Sequence, residues 1–287
     1  MAYARPEALV STDWLAAHLG NPRIRIVDCS FKLPGVTPTA REDYLRGHIP
    51  GAVFFDIDEI AEPGTSLPHM IPSPELFARK MEALGIGDDD RVIVYDSAGL
   101  SSAGRAWWML RLFGHDDVAL LDGGLPKWKV EERPLETSPP SVSARRFTPR
   151  FDPSLVRDKR ALLDNLSTRR EQVVDARAAA RFNGTAEEPR PGLRRGHIPG
   201  SRNLPYDQVT DPGTHQLRSG EELTRLFRGA GVDLDRPIVA SCGSGVTACA
   251  LAFALHLIGY TGAAVYDGSW SEWGLPGDAP VDTGPAP

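Results

Sequence analysis

The feature that most constrains this chain is an internal repeat. Arg46-Gly-His48-Ile-Pro-Gly51-Ala recurs as Arg195-Gly-His197-Ile-Pro-Gly200-Ser. Four further pairs keep nearly the same offset, about 145–149 residues: Val27-Asp28 with Val174-Asp175, Leu84-Gly-Ile-Gly with Ala230-Gly-Val-Asp, Leu121-Asp-Gly-Gly with Tyr266-Asp-Gly-Ser, and Trp128 with Trp273. Five matches in one order at one spacing mark a tandem duplication, so the chain is expected to fold as two copies of one domain. Its 287 residues agree with that count at roughly 150 per domain. The stretch Glu131 to Pro153 is rich in Pro, Ser and Arg and holds no sustained apolar period. It reads as a linker over 131–153, between a first domain at 1–130 and a second at 154–287.

Within each copy, short β-branched runs alternate with amphipathic stretches. Arg25 to Asp28, Val53 to Phe55, Arg91 to Tyr95 and Val118 to Leu121 read as strands, matched in the second copy by Val173 to Asp175, Ile238 to Ala240 and Ala264 to Tyr266. Helices fall between them. Ser73-Pro74 sets a cap and a first-turn proline before Leu76, Phe77, Met81 and Leu84, and Ser219-Gly-Glu-Glu222 is a capping-box pattern closed by Gly229. Alternation of this kind predicts an α/β fold in which each domain is a parallel sheet with helices on both faces. Ligands then bind beyond the carboxyl ends of the strands.

Composition narrows the partners. A net charge of −6 offers no basic excess to neutralise phosphates, so nucleic acid is not an expected partner. The longest apolar run, Ala248 to Leu255, is far shorter than the ~20 residues that span a bilayer, and Met1 to Glu7 has no signal-peptide core. No membrane association and a cytoplasmic location are the expectations. Three cysteines, Cys29, Cys242 and Cys249, are too few for a disulfide framework and lack CxxC spacing, so no metal and no cofactor are called for, and a notable cysteine here is reactive.

That cysteine is Cys242. Ile238-Val-Ala-Ser-Cys242-Gly-Ser-Gly-Val-Thr-Ala248 reads as a strand end, a glycine-spaced loop and a helix start. Successive N–H groups of such a loop turn inward and the helix dipole adds positive potential, so the loop favours an anion, including a thiolate, at its centre. The backbone of Gly243, Gly245, Val246 and Thr247 is therefore a candidate for substrate binding. In the first copy the matching stretch places Ser97 where the nucleophile would be. With no base nearby, that domain is expected to be catalytically inactive. A phosphatase loop would need an arginine at the position of Ala248, which excludes that chemistry.

On these residues the chain resembles the two-domain rhodanese-type sulfurtransferases, over about Ser11 to Trp273, and Cys242-Gly-Ser-Gly-Val-Thr247 resembles the signature of the 3-mercaptopyruvate branch. The resemblance implies two domains of one fold, an inactive amino-terminal half and a persulfide on Cys242. Thiosulfate-preferring relatives carry basic residues just after the cysteine; here Gly243 and Ser244 are neutral, which favours a donor whose charge is a remote carboxylate. It further implies that Arg181 and Arg190 grip the substrate's carboxylate and carbonyl oxygens. It places Asp58 and His69 at the domain interface, where with Ser244 they form a relay. The acceptor would be a thiol such as thioredoxin, or cyanide. Thiosulfate:cyanide transfer and persulfide carriage for a protein acceptor are the alternative readings. Arg177, Arg194 and Arg195 are expected on the surface. His48 and His197, present in both copies, are expected to be structural, and Cys29, Cys249 and the tryptophans to pack.

Overall fold

The structure, a computed structural model, describes residues 3–286. The first sheet comprises β1 (Leu9–Val10), β2 (Ile24–Asp28), β3 (Val53–Phe54), β4 (Arg91–Tyr95) and β5 (Val118–Leu121), and the second β6 (Val156–Arg157), β7 (Gln172–Asp175), β8 (Arg202–Asn203), β9 (Ile238–Ser241) and β10 (Ala264–Tyr266). Their orders are β1-β5-β4-β2-β3 and β6-β10-β9-β7-β8, one topology written twice. Every strand pair is parallel. The edge strands β1, β3, β6 and β8 are two residues each, too short to show alternation in sequence.

Helices α1 (Thr12–Ala17), α2 (Ala40–Arg46), α3 (Pro74–Ala83), α4 (Ala103–Leu112) and α5 (Gly124–Val130) cover the first sheet, and α6 (Lys159–Thr168), α7 (Ala179–Phe182), α8 (Gly220–Gly229), α9 (Ala248–Leu257) and α10 (Ser269–Trp273) the second. The two caps read from sequence form: Ser73 accepts from the Leu76 N–H, and Ser219 and Glu222 close a reciprocal capping box.

The repeated Gly-His-Ile-Pro-Gly segments do the same structural job twice. His48 stacks on Tyr44 and its Nδ1 meets the Tyr44 carbonyl at 2.7 Å; His197 stacks on Phe182 and meets the Phe182 carbonyl at 2.9 Å. Each pairs with a downstream strand-like residue, Glu136 or Asp282. Trp128 and Trp273 each donate an indole N–H to a proline carbonyl, Pro134 and Pro280.

What joins the copies is α4 against α9. All ten residues of α9 are buried, and a helix apolar on every face must be covered on every face. One side packs on its own sheet and another on α4 of the first domain. Gly104 permits the approach, since a Cβ there would lie 3.0 Å from the Ala250 nitrogen, and Trp107 meets Phe253 edge-on at 5.0 Å. One apolar cluster consequently runs through both domains. Residues 131–153 lie along the first domain: Phe147 is buried edge-on to Phe77, and Thr148 is held by Asp88.

Candidate active site

Cys242 follows β9 and precedes α9, 2 % exposed. Its position is fixed from the segment after β10. Ser269, at φ +46°, accepts from the Cys242 N–H at 3.1 Å and donates to the Tyr266 carbonyl at 2.7 Å. The Cys242 carbonyl accepts from the Trp270 N–H, and the Gly243 carbonyl from the N–H and hydroxyl of Ser271. Gly245 sits at φ +73°, with the place of a Cβ only 2.6 Å from the Asp267 carbonyl oxygen, so no other residue fits there. Among the described residues the N–H groups of 243–248 find no protein acceptor, and Cys242, Gly243, Ser244, Val246 and Thr247 line one cavity.

That cavity, about 310 Å3, lies between the domains, with Phe31, Leu33 and Ser101 on the first-domain side. Arg181 and Arg190 both open into it. The Arg181 guanidinium lies 3.1 Å from where a Cβ of residue 243 would be, so the glycine leaves the space the guanidinium fills. Arg181 is aimed by Glu188, whose side chain is 2% exposed, at 2.5 Å, and Glu188 also binds Arg177 at 2.8 Å. Arg190 donates to His69 Nε2 at 3.1 Å. Burial pushes its guanidinium pKa down, with Cys242 and Asp58 pulling the other way. A larger groove of about 520 Å3 along α8 holds no cysteine or histidine, so chemistry points to the smaller one.

His69 is buried in the left-handed region at φ +59°, edge-on to Phe31. Its Nδ1 lies 2.9 Å from Asp58 Oδ1, off the axis of a good hydrogen bond, and this neighbour holds the Asp58 pKa below the usual carboxylate value. Because arginine only donates, Nε2 is the accepting nitrogen and the Nδ1 proton faces Asp58. The relay is thus not closed here: Arg190, not Ser244, occupies Nε2, and among the described residues no hydrogen bond joins Ser244 to His69. Ser244 is buried at the cavity wall.

Two expectations are corrected. Arg177 is not on the surface: it is buried, bidentate to Asp175, bonded to Glu188 and the Gly196 carbonyl, and stacked on Trp270 at 4.2 Å. Arg195 is exposed, and Arg194 is partly buried on the Trp273 and Ala279 carbonyls. Nor is Ser97 the counterpart of Cys242. Tyr95 pairs with Asp28, and Ser241 with Asp175, so the next residues, Asp96 and Cys242, are equivalent. Leu125 N–H donates to the Asp96 carbonyl as Trp270 N–H does to that of Cys242. The Asp96 carboxylate fills the first loop, accepting from the N–H groups of Ala98, Ser101, Ser102 and Ala103 at 2.7–2.8 Å.

Sequence reasoning missed Glu188, Asp96, Arg105 and Asp267. Arg105 was detectable as a charge inside the apolar run Ala103 to Leu110, and Glu188 as an acid within an arginine-dense segment; a buried charge needs a partner. Cys249 is packed in α9 with its thiol on the Gly245 carbonyl, and burial raises its pKa. Cys29, also buried, lies beyond β2. Among the described residues no cluster of His, Cys, Asp or Glu could hold a metal, and no helix is long and apolar enough to cross a membrane.

Fold and site together define a two-domain α/β protein that presents a cysteine to an interdomain cavity from a strand-to-helix loop. The profile of the rhodanese-like domain matches twice, over residues 11–131 and 158–275, and the chain belongs to that family. It is 45% identical to the 3-mercaptopyruvate sulfurtransferase of Escherichia coli K12, over 95% of this chain and 97% of that one. It is 43% identical to the mitochondrial thiosulfate/3-mercaptopyruvate sulfurtransferase 1 of Arabidopsis thaliana, over 96% and 78%. The crystal structure of SseA, a 3-mercaptopyruvate sulfotransferase from E. coli, superposes with a TM-score of 0.84 at 42% identity, covering 92% of this chain and 99% of that one.

Proposed function

We propose that this sulfurtransferase takes sulfur from 3-mercaptopyruvate onto Cys242 and passes it to a thiol such as thioredoxin, or to cyanide. The observation that carries the reading is the cavity in which Cys242 faces Arg181 and Arg190, while Gly243 and Ser244 beside it are neutral. A carboxylate donor suits two arginines that share the cavity with the nucleophile while the loop beside it stays neutral. A dianionic donor would suit basic residues in the loop itself, at 243 and 244.

The Cys242 thiolate attacks the donor sulfur. The S–S bond forms as the C–S bond breaks, and the electron pair leaves on carbon as the enolate of pyruvate, which takes up a proton. The acceptor then attacks the outer sulfur and the S–S pair returns to Cys242. The free loop N–H groups offset negative charge on the persulfide. Arg181 and Arg190 bind the substrate's carboxylate and carbonyl oxygens. As Arg190 turns to substrate it releases His69 Nε2, and His69, oriented by Asp58, can then work with Ser244 on the developing enolate. The first domain, residues 1–130, contributes Asp58 and His69 but no nucleophile; 131–153 links it to the catalytic domain, 154–287. Three buried free cysteines suit the reducing cytoplasm, where fractionation should find the enzyme.

Incubation with donor and no acceptor is expected to add one sulfur to Cys242 by intact mass and peptide mapping, with one pyruvate released. kcat/KM should favour 3-mercaptopyruvate over thiosulfate. A preference for thiosulfate refutes the donor assignment. Sulfur transfer to a protein acceptor with no saturable pyruvate release would make the protein a carrier.

A further inference from the structure

Arg105 takes no part in the reaction as described, yet it bonds to the Cys242 loop, to His69 and to Asp267. It lies on α4 of the first domain and is wholly buried, its guanidinium over the Trp108 ring at 4.7 Å. It donates to the Gly245 carbonyl of the Cys242 loop at 3.2 Å, to the His69 carbonyl at 2.5 Å, and to Asp267 Oδ1 at 2.7 Å. The other Asp267 oxygen accepts from the Ile71 N–H at 2.8 Å. One first-domain cation thereby joins the catalytic loop, the segment after β10 that fixes Cys242, and the backbone at and just after His69.

Two of these anchor points are conformations that need holding. His69 carries a β-carbon at φ +59°, a region uncommon for such residues. Gly245 is left-handed at φ +73°, with Arg105 Nη1 2.9 Å from the place of its missing Cβ. A planar guanidinium can donate to three acceptors in fixed directions at once; an ammonium at the end of a flexible chain cannot hold the same geometry.

We infer that Arg105 is a positioning residue for sulfur transfer, through which the domain without a nucleophile sets the shape of the Cys242 loop and the aim of His69. The inference rests on the reading of Cys242 as the sulfur carrier and adds a residue to it. The competing account makes Arg105 only an interface ion pair that holds the domains together. Arg181 is anchored on Glu188 within the second domain, and Arg190 leaves His69 when it turns to substrate, so the two accounts separate in kinetics.

The test is Arg105→Lys in the full chain, with activity expressed per Cys242 that can be alkylated. Expected are a kcat for pyruvate release lowered at least tenfold, a KM for 3-mercaptopyruvate within threefold, and a shifted pH profile for iodoacetamide alkylation of Cys242, located by peptide mapping. A kcat and an alkylation profile both within twofold of wild type overturn the inference and leave the ion pair as stability alone. If the lysine variant does not fold, Asp267→Asn, which keeps shape and removes charge, decides by the same readouts: a threefold or greater loss of kcat with a shifted profile supports the inference, and wild-type values overturn it. The alkylation arm uses no sulfur donor. A wild-type protein that releases no pyruvate, with a shifted profile in Arg105→Lys, sinks the donor assignment and upholds the brace.

Discussion

The loop after β4 and the loop after β9 leave their sheets at the same register and run into helices that pack on each other, yet they treat their inward N–H groups oppositely. In the first, Asp96 supplies a carboxylate from the chain itself and four backbone N–H groups close on it. In the second, Cys242 stands at that position, the loop is one residue shorter, and the N–H groups of 243–248 are left without a protein acceptor. A loop that gathers N–H groups demands an anion. The first copy meets the demand covalently. The second leaves it unmet by the chain, and the proposed persulfide chemistry draws on that difference.

The comparison breaks most visibly at the nucleophile. Cys242→Ser is expected to reduce pyruvate release at least 10^4-fold, since a hydroxyl carries no stable persulfide, with urea denaturation shifted by less than about 1 kcal/mol. Cys242→Asp should be equally inactive but more stable than the serine variant, because it installs the first copy's solution in the second loop. Equal stabilities for the two would mean the second loop does not gather its N–H groups as the first does.

Next in size, Asp96→Ala removes one carboxylate from four donors. A loss of about 3–5 kcal/mol of stability is expected from leaving buried donors unpaired, with faster amide exchange at 98–103 and normal turnover in the folded fraction. A loss below about 1 kcal/mol would remove the carboxylate from the account of the first loop.

Smaller effects sharpen the second half of the comparison. Arg181→Lys and Arg190→Lys should each raise KM for 3-mercaptopyruvate ~10-fold, because lysine lacks the planar fork. Ser244→Ala and His69→Ala should lower kcat with KM within twofold, if they act on charge that develops as the C–S bond breaks. Silence from both would leave the loop and its thiolate to carry the reaction alone. The mildest change is Ser244→Lys, expected to move the donor ratio toward thiosulfate by raising the local potential. Gly243→Arg is the poorer test, since a side chain there meets Arg181.

The duplication, the central strands, both caps and the reactive loop were legible because each is written within a few consecutive residues: a repeated heptapeptide, β-branched runs, Ser-Pro and Ser-x-x-Glu, and glycines around one cysteine. Ser97 was misread for a reason of the same kind. Counting back from the helices aligns it with Cys242, but the first loop carries an extra residue, and only the pairing of Tyr95 with Asp28 and of Ser241 with Asp175 reveals that Asp96 is the counterpart. Arg177 was misread because composition gives arginine a surface prior, and nothing local announces that Asp175, Glu188 and Trp270 converge on it.

By itself, then, the sequence determined the central strands, two helix starts and the reactive loop, that there are two such sets, and which cysteine stands where an anion is favoured. These follow from backbone dihedral preferences and side-chain periodicity, which act over a turn or two of chain. The tertiary structure alone decided that Arg190 takes His69 Nε2, 121 positions away, and that Arg105 reaches Gly245 and Asp267 across 140 and 162. Such contacts exist only once α4 has packed on α9 and water has left the interface. Charge pairing at that range is set by where whole domains come to rest, and no short stretch of sequence contains that information.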